Sequence, residues 1–315
     1  MTAAPLRIVY FGTPDFAVPA LEALIDSPHD VVALVSQPDR PKGRGQKLQP
    51  TPTKVVADAA GIPVLQPVKV KDLAFHSALS AFAPDLGVVA AYGRIIPDAV
   101  LGIPGLGMIN IHASLLPKYR GAAPIHRAVI DGEHETGVTI MRVVTELDAG
   151  AMFATVRRNI GPDETTPELE RALATAGASI LLDVIDQMVN GHAREVEQDH
   201  ARATYASKIE RHEGLVDWTL PAARVHNLVR GLQPWPLVTV NIDGVRCRIH
   251  SSALTDEMTD AMPGTVASVS SGFLAVAAGD RRILRILEIQ PDGKRVMPVR
   301  DFLSGHPVAA GTPLT

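Results

Sequence analysis

Asn110 and His112 stand two positions apart near the end of an apolar run, in the stretch "GMINIHASLLP" at residues 107–117. Side chains at positions i and i+2 of a strand point to the same face, so an amide and an imidazole would project side by side. An Asn can donate a hydrogen bond to a developing oxyanion, and a His can donate or move a proton. The pair therefore predicts a site for acyl-transfer chemistry.

Asp148 is the third residue that could serve such a site. It lies in "TELDAGAM", residues 145–152, on the turn of a predicted hairpin that follows the Asn-His strand. An Asp there can orient the His or accept a proton from an attacking group. The spacing alone leaves open the alternative that these residues do no chemistry, because most Asn, His and Asp residues in any chain do none.

Metal and phosphate sites have weaker support. His112 and His126 are too far apart for one helix face, and neither HxxxH nor CxxC occurs in the sequence, so we expect no metal. The stretch "YFGTPDFAVPAL", residues 10–21, could bind phosphate at a strand-turn-helix, but it has one Gly where the dinucleotide fingerprint needs three. The simpler interpretation is a strand-to-helix turn that Asp15 caps.

Apolar strands alternate with helices in the first half of the chain. We predict strands at 6–12, 31–37, 86–93 and 107–114, helices at 15–27, 71–83 and 165–191, and a hairpin within 135–160. This alternation is typical of βαβ units and predicts an α/β fold with a mostly parallel sheet, whose ligands bind at the carboxyl ends of the strands. After a helix at 221–232, short alternating runs separated by Gly turns predict a small β-barrel.

Two polar segments divide or interrupt these elements. Residues 196–210 form a predicted linker between a first domain, residues 1–195, and a second domain, residues 211–315. The stretch "SQPDRPKGRGQKLQP", residues 36–50, is rich in Pro, Gly and cations and has no hydrophobic period. A long polar loop inside a compact domain is usually functional or disordered.

Length, charge and cysteine content limit the class of protein. A chain of 315 residues fits two domains, and its net charge of −4 argues against a wholly basic nucleic-acid binder while allowing a local basic patch. Cys247 is the single cysteine, so we expect no disulfide and a reducing, cytoplasmic location. We expect no signal peptide, and no membrane span because no window approaches 18 uninterrupted apolar residues.

Several stretches, taken together, resemble methionyl-tRNA formyltransferases. They are "FGTPDFAVPAL", "VSQPDRPKGRGQKLQPTPTK", "VVAAYGRIIP", "GMINIHASLLPKYRGAAPIHRAV", "ELDAGAM", "TYASKIERHEGLVDW" and "VRGLQPWP". The resemblance implies a Rossmann-like formyltransferase domain followed by an OB-fold-like β-barrel. His126-Arg127 departs from the family pattern, and we expect it to alter packing on the helix after the folate loop.

The resemblance also implies roles for residues and partners. The formyl donor would be 10-formyltetrahydrofolate, the acceptor initiator methionyl-tRNA, and no metal or redox cofactor would take part; we expect a monomer. The catalytic roles carry over to Asn110, His112 and Asp148. The donor would lie between two walls, formed by Ser114, Leu115, Leu116 and Pro117 on one side and by Val89, Ala91, Tyr92 and Gly93 on the other. The alternative for both walls is ordinary packing at strand ends.

Cations in the polar loop, near the linker and on the barrel are the candidates for tRNA contact. Residues 200–315 hold 13 Lys and Arg against 11 Asp and Glu, whereas residues 1–199 hold 17 against 23. Charges scattered over a solvated surface can also mean little. Arg44 is the expected closest contact to the acceptor stem, because Arg offers a planar fork that Lys lacks. The candidates are Arg40, Lys42, Arg44, Lys47, Lys208, Arg246 and Arg248.

Two rival functions stay open at this stage. The core motifs are shared with enzymes that formylate a sugar nucleotide or a purine precursor, and the basic loop and second domain favour the tRNA enzymes among them. The other rival is a non-catalytic binding module on a formyltransferase scaffold, against which the intact Asn110, His112 and Asp148 set speaks.

Overall fold

The computed structural model describes residues 5–42, 45 and 47–315, which form two compact units. The first unit contains the described residues up to Pro124, together with Thr136–Arg158 and Glu170–Ala206. The second unit contains Ile125–Glu135, Asn159–Leu169 and Ser207–Thr315. The division of the chain at residues 196–210 stays a prediction.

The first unit is built on a seven-stranded sheet. The strands, in chain order, are β1 (Arg7–Gly12), β2 (Asp30–Val35), β3 (Arg40–Lys42), β4 (Lys47–Gln49), β5 (Val64–Leu65), β6 (Leu86–Ala90), β7 (Met108–His112), β8 (Arg120–Gly121), β9 (Glu135–Arg142), β10 (Met152–Asn159) and β11 (Tyr205–Ala206). The sheet has the order β10-β9-β7-β6-β1-β2-β5. Its pairs β1–β2, β1–β6, β6–β7 and β2–β5 are parallel, and β9 runs antiparallel to β7. The predicted mostly parallel sheet is therefore confirmed.

Six α-helices lie among the described residues up to 206, and the fifth of them belongs to the second unit. They are α1 (Val18–Ile25), α2 (Pro52–Ala59), α3 (Leu73–Ser80), α4 (Asp98–Leu101), α5 (Pro124–Asp131) and α6 (Thr166–Val189). A 3-10 turn over Asp15–Ala17 precedes α1, and neither element has a side-chain cap, so the predicted capping by Asp15 is wrong. Asp15 lies instead within the first turn, where a negative charge still favours a helix start.

Residues 36–50 are more ordered than their composition predicted. β3 and β4 form a short antiparallel ladder in which Arg40 pairs with Gln49 and Lys42 with Lys47. The backbone at this place therefore forms a hairpin rather than a featureless loop. Arg44 lies outside the described residues.

The long helix α6 covers the sheet behind β7. A Cβ on Gly177 of this helix would lie 2.7 Å from Ile111 of β7, so glycine permits a close approach of helix and sheet. By length and composition alone α6 could cross a membrane, with 39% of its apolar window buried in the structure. Leu173, Leu181 and Ile185 are fully buried against the fold, as in the core helix of a folded domain.

The second unit carries an antiparallel sheet. Its further elements are α7 (Ala222–Gly231), β12 (Val238–Ile242), β13 (Val245–Met258), β14 (Val266–Val269), β15 (Leu274–Ala277), β16 (Arg282–Pro291), β17 (Met297–Pro298) and α8 (Val299–Gly305). The sheet has the order β12-β13-β16-β15-β14, and β17 pairs with β16. Asp243-Gly244, both with positive φ, form the two-residue turn between β12 and β13, as hairpin geometry requires.

Residues 312–315 close this sheet into a barrel. On one side Asn241 of β12 and Thr315 exchange both backbone hydrogen bonds, at 2.5 and 3.2 Å. On the other side the N–H of Val266 donates to the carbonyl of Thr312 at 2.9 Å, next to a bond from Leu314 to Gly264. The segment thus bridges β12 and β14, and the expected fold class, a Rossmann-like domain plus an OB-fold-like barrel, is confirmed.

Arg127 of α5, where the sequence departs from the family pattern, connects this helix to residues 207–213 by hydrogen bonds. Its guanidinium binds both carboxylate oxygens of Glu213, at 2.5 and 3.0 Å, and donates to the carbonyls of Ser207 and Lys208. These hydrogen bonds from Arg127 hold the pKa of Glu213 below its ordinary value. A charged fork therefore ties α5 to the segment that begins the second half of this unit.

We expect the variant Leu314→Ala to lower the free energy of unfolding of the second unit by about 2–4 kcal/mol, because a buried leucine would leave a cavity in the closing segment. Urea unfolding followed by circular dichroism measures the change. Leu215→Ala is the matched control, since Leu215 is 68% exposed and should change stability by less than about 0.5 kcal/mol. Equal effects of the two variants would contradict the closing role of residues 312–315.

Candidate active site

The site lies where neighbouring parallel strands end. Gly12 at the end of β1 pairs with Ala90 of β6, and Val89 of β6 pairs with Asn110 of β7. The strands β2 and β5 lie on one side of β1, and the later strands β6 and β7 lie on the other. Such a switch point opens a crevice at the carboxyl ends of the strands, which is where Asn110 and His112 stand.

His112 is held through one ring nitrogen. Its Nε2 lies 2.9 Å from the backbone oxygen of Tyr119. A carbonyl can only accept a hydrogen bond, so Nε2 carries the hydrogen and donates it. The other nitrogen, Nδ1, faces Asp148, with 3.7 Å between Nδ1 and Oδ2. The ring is therefore oriented by backbone, and Nδ1 is left for chemistry.

Asp148 is fixed at its carboxylate and strained at its backbone. The N–H of Gly121 donates to Oδ2 at 2.8 Å. The residue has a φ of +48°, in the left-handed region that side chains other than Asn and Asp rarely adopt. Strained residues of this kind cluster at functional sites. The predicted meeting of His112 and Asp148 is observed, at a distance slightly too long for a direct hydrogen bond.

Asn110 offers an amide that the protein itself leaves available. It is half-buried on β7, between Val89 of β6 and Met141 of β9. Within the described part of the chain its side chain makes no hydrogen bond to another residue. Because it shares a strand face with His112, the amide and the imidazole project to the same side. A ligand could use both.

The segment Ser114–Pro117 is held by hydrogen bonds from β9. Thr139 Oγ1 donates to the carbonyl of Ser114 at 2.8 Å and accepts from the N–H of Leu116 at 3.3 Å. Ser114 Oγ donates to the carbonyl of Lys118 at 2.6 Å. The side chains of Ser114 and Leu116 are buried. This predicted binding wall is thus a rigid loop whose shape depends on a buried threonine.

The other predicted wall has two of its four side chains in the hydrophobic core. Val89 and Tyr92 are buried in the hydrophobic core, where the Tyr92 ring contacts Phe11 edge-on at 5.4 Å. Burial raises the pKa of Tyr92 to about 12. Ala91 and Gly93 both have positive φ, at +45° and +75°. The chain therefore turns sharply at this strand end, where the carbonyl of Tyr92 accepts hydrogen bonds from Gln37 Nε2 at 2.8 Å and from Thr13 Oγ1 at 3.4 Å.

A cavity of about 910 Å³ opens beside Ala91. It lies at the ends of β1 and β2, and part of its wall comes from the strand-to-helix turn within residues 10–21. Its wall is mostly proline and small or apolar side chains, with a few polar groups. Among the residues that line it are Thr13, Asp15, Gln37, Arg40, Thr51 and Ala91.

The residues predicted to contact tRNA differ in whether a nearby carboxylate neutralises their charge. Arg40 is exposed and donates to Gln37 Oε1 at 2.7 Å, and Lys47 is exposed on the same hairpin. Only the backbone of Lys42 is described. Arg246 and Arg248 share one carboxylate, that of Asp292, at 3.9 and 3.1 Å. The two barrel arginines are therefore partly neutralised.

Lys208 is exposed, and its backbone carbonyl accepts a hydrogen bond from Arg127.

Among the described residues, no group of three or more His, Cys, Asp and Glu is placed to hold a metal ion.

Three functional groups were missed by sequence reasoning. They are the carbonyl of Tyr119, the N–H of Gly121 and the hydroxyl of Thr139, which hold His112, Asp148 and the Ser114–Pro117 loop. Backbone groups have no residue-type signature. The glycine at position 121 was the available signal in the sequence, since glycine allows a positive φ and a close approach of backbone. In the structure Gly121 has a φ of +115°, and a Cβ there would lie 2.8 Å from the carbonyl oxygen of Ala206.

Comparison with known proteins matches both halves of the chain to one family. Residues 6–185 match the family described as formyl transferase, and residues 208–307 match the formyl transferase C-terminal domain. A methionyl-tRNA formyltransferase of Desulfotalea psychrophila is 47% identical over 98% of this chain and 95% of its own. One of Moorella thermoacetica is 44% identical over 97% and 98%.

Solved structures show the same fold at low identity. An N-formyltransferase from Helicobacter canadensis, in complex with folinic acid and dTDP-3-aminofucose, has a TM-score of 0.69 at 17% identity and covers 91% of this chain and 99% of its own. HypX from Aquifex aeolicus, in complex with tetrahydrofolic acid, has a TM-score of 0.67 at 17% identity over 96% of this chain and 48% of its own.

The variant Thr139→Val should lower the free energy of unfolding by about 1–3 kcal/mol, because it leaves the buried carbonyl of Ser114 and the N–H of Leu116 without a partner. Urea unfolding measures the loss. Thr175→Val is the matched control: Thr175 is exposed on α6, and its hydroxyl donates to the carbonyl of Arg171 in the same helix at 3.2 Å. A loss no larger than that of the control would mean that the loop does not depend on Thr139.

Proposed function

This chain belongs to the methionyl-tRNA formyltransferase family of formyl transferases, and we propose that Asn110, His112 and Asp148 carry its reaction. The enzyme transfers a formyl group from 10-formyltetrahydrofolate to the α-amine of methionyl initiator tRNA, giving formylmethionyl-tRNA and tetrahydrofolate. The observation that supports these roles most strongly is the approach of His112 Nδ1 to Asp148, on the strand face that also carries Asn110, whose amide makes no hydrogen bond within the described part of the chain.

The amine attacks the formyl carbon, and the carbonyl oxygen becomes an oxyanion in the tetrahedral intermediate. The side-chain amide of Asn110 donates a hydrogen bond to that oxygen. One such donor typically contributes about 10²–10³ in rate. His112 adds a second donation from Nδ1 when that atom carries a proton, because Nε2 is already bound to the carbonyl of Tyr119.

The proton of the attacking amine passes to the His112 and Asp148 pair. The 3.7 Å between Nδ1 and Oδ2 is too long for a direct bond, but an amine nitrogen placed beside the gap is within reach of both atoms. Asp148 accepts the proton as the new C–N bond forms. When the C–N10 bond breaks, a proton returns to N10 of the departing tetrahydrofolate. The reaction then needs no further reactant.

The folate lies between the Ser114–Pro117 loop and the turn formed by Ala91, Tyr92 and Gly93. A pteridine presents an amide-like edge that backbone N–H and C=O groups of a rigid irregular loop can pair with. The hydrogen bonds of Thr139 to this loop support such preorganisation.

The buried, single thiol of Cys247 suits the reducing cytoplasm, where we expect the enzyme to act.

A small amine acceptor, such as an amino sugar nucleotide, is the second candidate. The Helicobacter canadensis structure has that type of ligand, but at 17% identity it supports the fold alone. Relatives with 41–47% identity over nearly the whole chain are named methionyl-tRNA formyltransferases. The exposed cations of the β3–β4 hairpin also suit a polyanionic acceptor better than a small one.

Replacing His112 by Ala should lower turnover with charged initiator tRNA by about 100-fold or more, because a donor and a proton carrier are lost together. Formylation of methionyl-tRNA is measured with purified protein and 10-formyltetrahydrofolate, and folate binding is measured separately and should persist. His192→Ala is the matched control, since His192 is exposed in the same unit. Near-normal turnover in the His112 variant would refute the assignment.

The double variant Arg40→Ala/Lys47→Ala should weaken tRNA binding and reduce the slope of log K against log salt by about 1–2, because each lost phosphate contact removes about 0.7–0.9. Filter binding at a series of salt concentrations measures the slope. The control is Lys69→Ala/Lys71→Ala, which removes two exposed cations elsewhere in the unit. An unchanged slope in the first double variant would show that the hairpin does not contact tRNA.

A further inference from the structure

Arg120 is the largest fully buried side chain of the described residues, with 1% of its surface exposed. A buried cation is costly unless its hydrogen bonds are satisfied. Its Nε and Nη2 both donate to Oε1 of Gln198, at 3.1 and 2.8 Å, and Nη2 also donates to Nδ1 of His200 at 3.1 Å. A carboxylate oxygen of Glu146 lies 3.7 Å from Nη1. Arg120 faces the protein interior.

Gln198 connects Arg120 to the backbone of the turn that contains Asp148. Its Nε2 donates to the carbonyl of Asp148 at 2.9 Å and to the carbonyl of Gly150 at 2.8 Å. The orientation of the carboxamide is chemically determined, because Arg120 can only donate and the two carbonyls can only accept. Gln198 is 4% exposed, and the NH2 group of its amide donates both of its hydrogens to this one turn.

The tripeptide Tyr119-Arg120-Gly121 thereby contacts both His112 and Asp148, the two residues proposed to accept the proton. The carbonyl of Tyr119 orients the His112 ring, and the N–H of Gly121 binds the Asp148 carboxylate. The side chain of Arg120, through Gln198, holds the carbonyl of the same Asp148 in its left-handed conformation. The strand β8 is itself fixed by its parallel pairing with β11. All these contacts lie within the first unit.

We propose that Gln198 and Arg120 are positioning residues for the formyl transfer, a role that rests on the proposed function and deepens it. They set the place of the Asp148 carboxylate relative to His112 Nδ1 without touching either substrate. Removing their hydrogen bonds lets the strained turn relax, which widens or tilts the pair. Proton transfer then slows, whereas the donor wall at Ser114–Pro117 and the cations of the hairpin stay in place.

The variant Gln198→Glu isolates this role. It keeps an oxygen acceptor for Arg120 and adds an opposite charge, so the buried cation stays satisfied. It replaces the two N–H donors by an oxygen that faces the carbonyls of Asp148 and Gly150. We expect kcat to fall by about 10–100-fold, the usual cost of losing an outer support of a site, with KM for folate and tRNA changed by less than about threefold.

Two further measurements separate positioning from general structural damage. The pH profile of kcat should be displaced, and the His112 ring resonance in the ligand-free protein should shift, because the neighbouring carboxylate has moved. Gln187→Glu is the matched control: Gln187 is exposed on α6, and we expect it to change none of these quantities. Where Gln198→Glu does not fold, Arg120→Lys, which keeps the charge and loses the planar fork, is expected to give the same pattern.

Unchanged kcat and pH profile in a folded variant would overturn the inference. So would a loss of kcat accompanied by an unshifted His112 resonance, since that outcome means a role in stability alone. The wild-type assay with charged initiator tRNA separates the two levels of the argument. A wild type that formylates tRNA, with an indifferent Gln198 variant, defeats only the positioning role. A wild type without that activity defeats the proposed function, and the His112 resonance still tests the positioning.

Discussion

The hydrogen bond from the N–H of Gly121 to the Asp148 carboxylate is the contact on which the rest of the site depends. It holds the carboxylate 3.7 Å from Nδ1 of His112, although the two residues come from a strand end and a distant turn. The neighbouring carbonyl of Tyr119 fixes the imidazole from the other side. One short strand therefore determines the mutual placement of the two groups, and a change in its position would move both together.

The sheet supplies what this local arrangement cannot. Parallel pairing of β1, β6 and β7 brings their carboxyl ends to one edge, where Asn110 shares a face with His112. The helix α6 approaches β7 closely at Gly177, which keeps the strand from shifting. Catalysis by preorganised donors requires such rigidity, because a donor that must reorient during the reaction loses most of its advantage.

Charge in this protein is distributed unevenly between free and paired cations. Arg246 and Arg248 of the barrel share Asp292, and Arg285 is paired with Glu257. Paired cations contribute little net attraction at a distance, especially at physiological salt. The exposed hairpin cations Arg40 and Lys47 have no such acidic partner among the described residues, so their charges are less neutralised than those of Arg246 and Arg248.

Short-range patterns in the sequence determined the fold class and the candidates for the site. Apolar runs alternating with helical segments predicted the parallel sheet, and the two-residue spacing of Asn110 and His112 placed them on one strand face. Asp148, on a predicted hairpin turn, completed the candidate set, and the resemblance assigned the three residues to a named reaction. The apolar period did not reveal the helices α2, α4 and α8: α4 and α8 have only four and seven residues, and α2 directly follows the polar residues 36–50. The helix α5 was expected only from the resemblance.

Tertiary structure alone decided how the site is held. The bonds of Arg120 to Gln198 join residues 78 positions apart, and the supports of His112 and Asp148 are backbone groups that every residue type carries. The hairpin within residues 36–50 and the sharing of Asp292 by two arginines likewise depend on strand register. Periodicity specifies which face of an element is buried, whereas which polar groups meet at its end depends on how distant segments satisfy one another's hydrogen bonds.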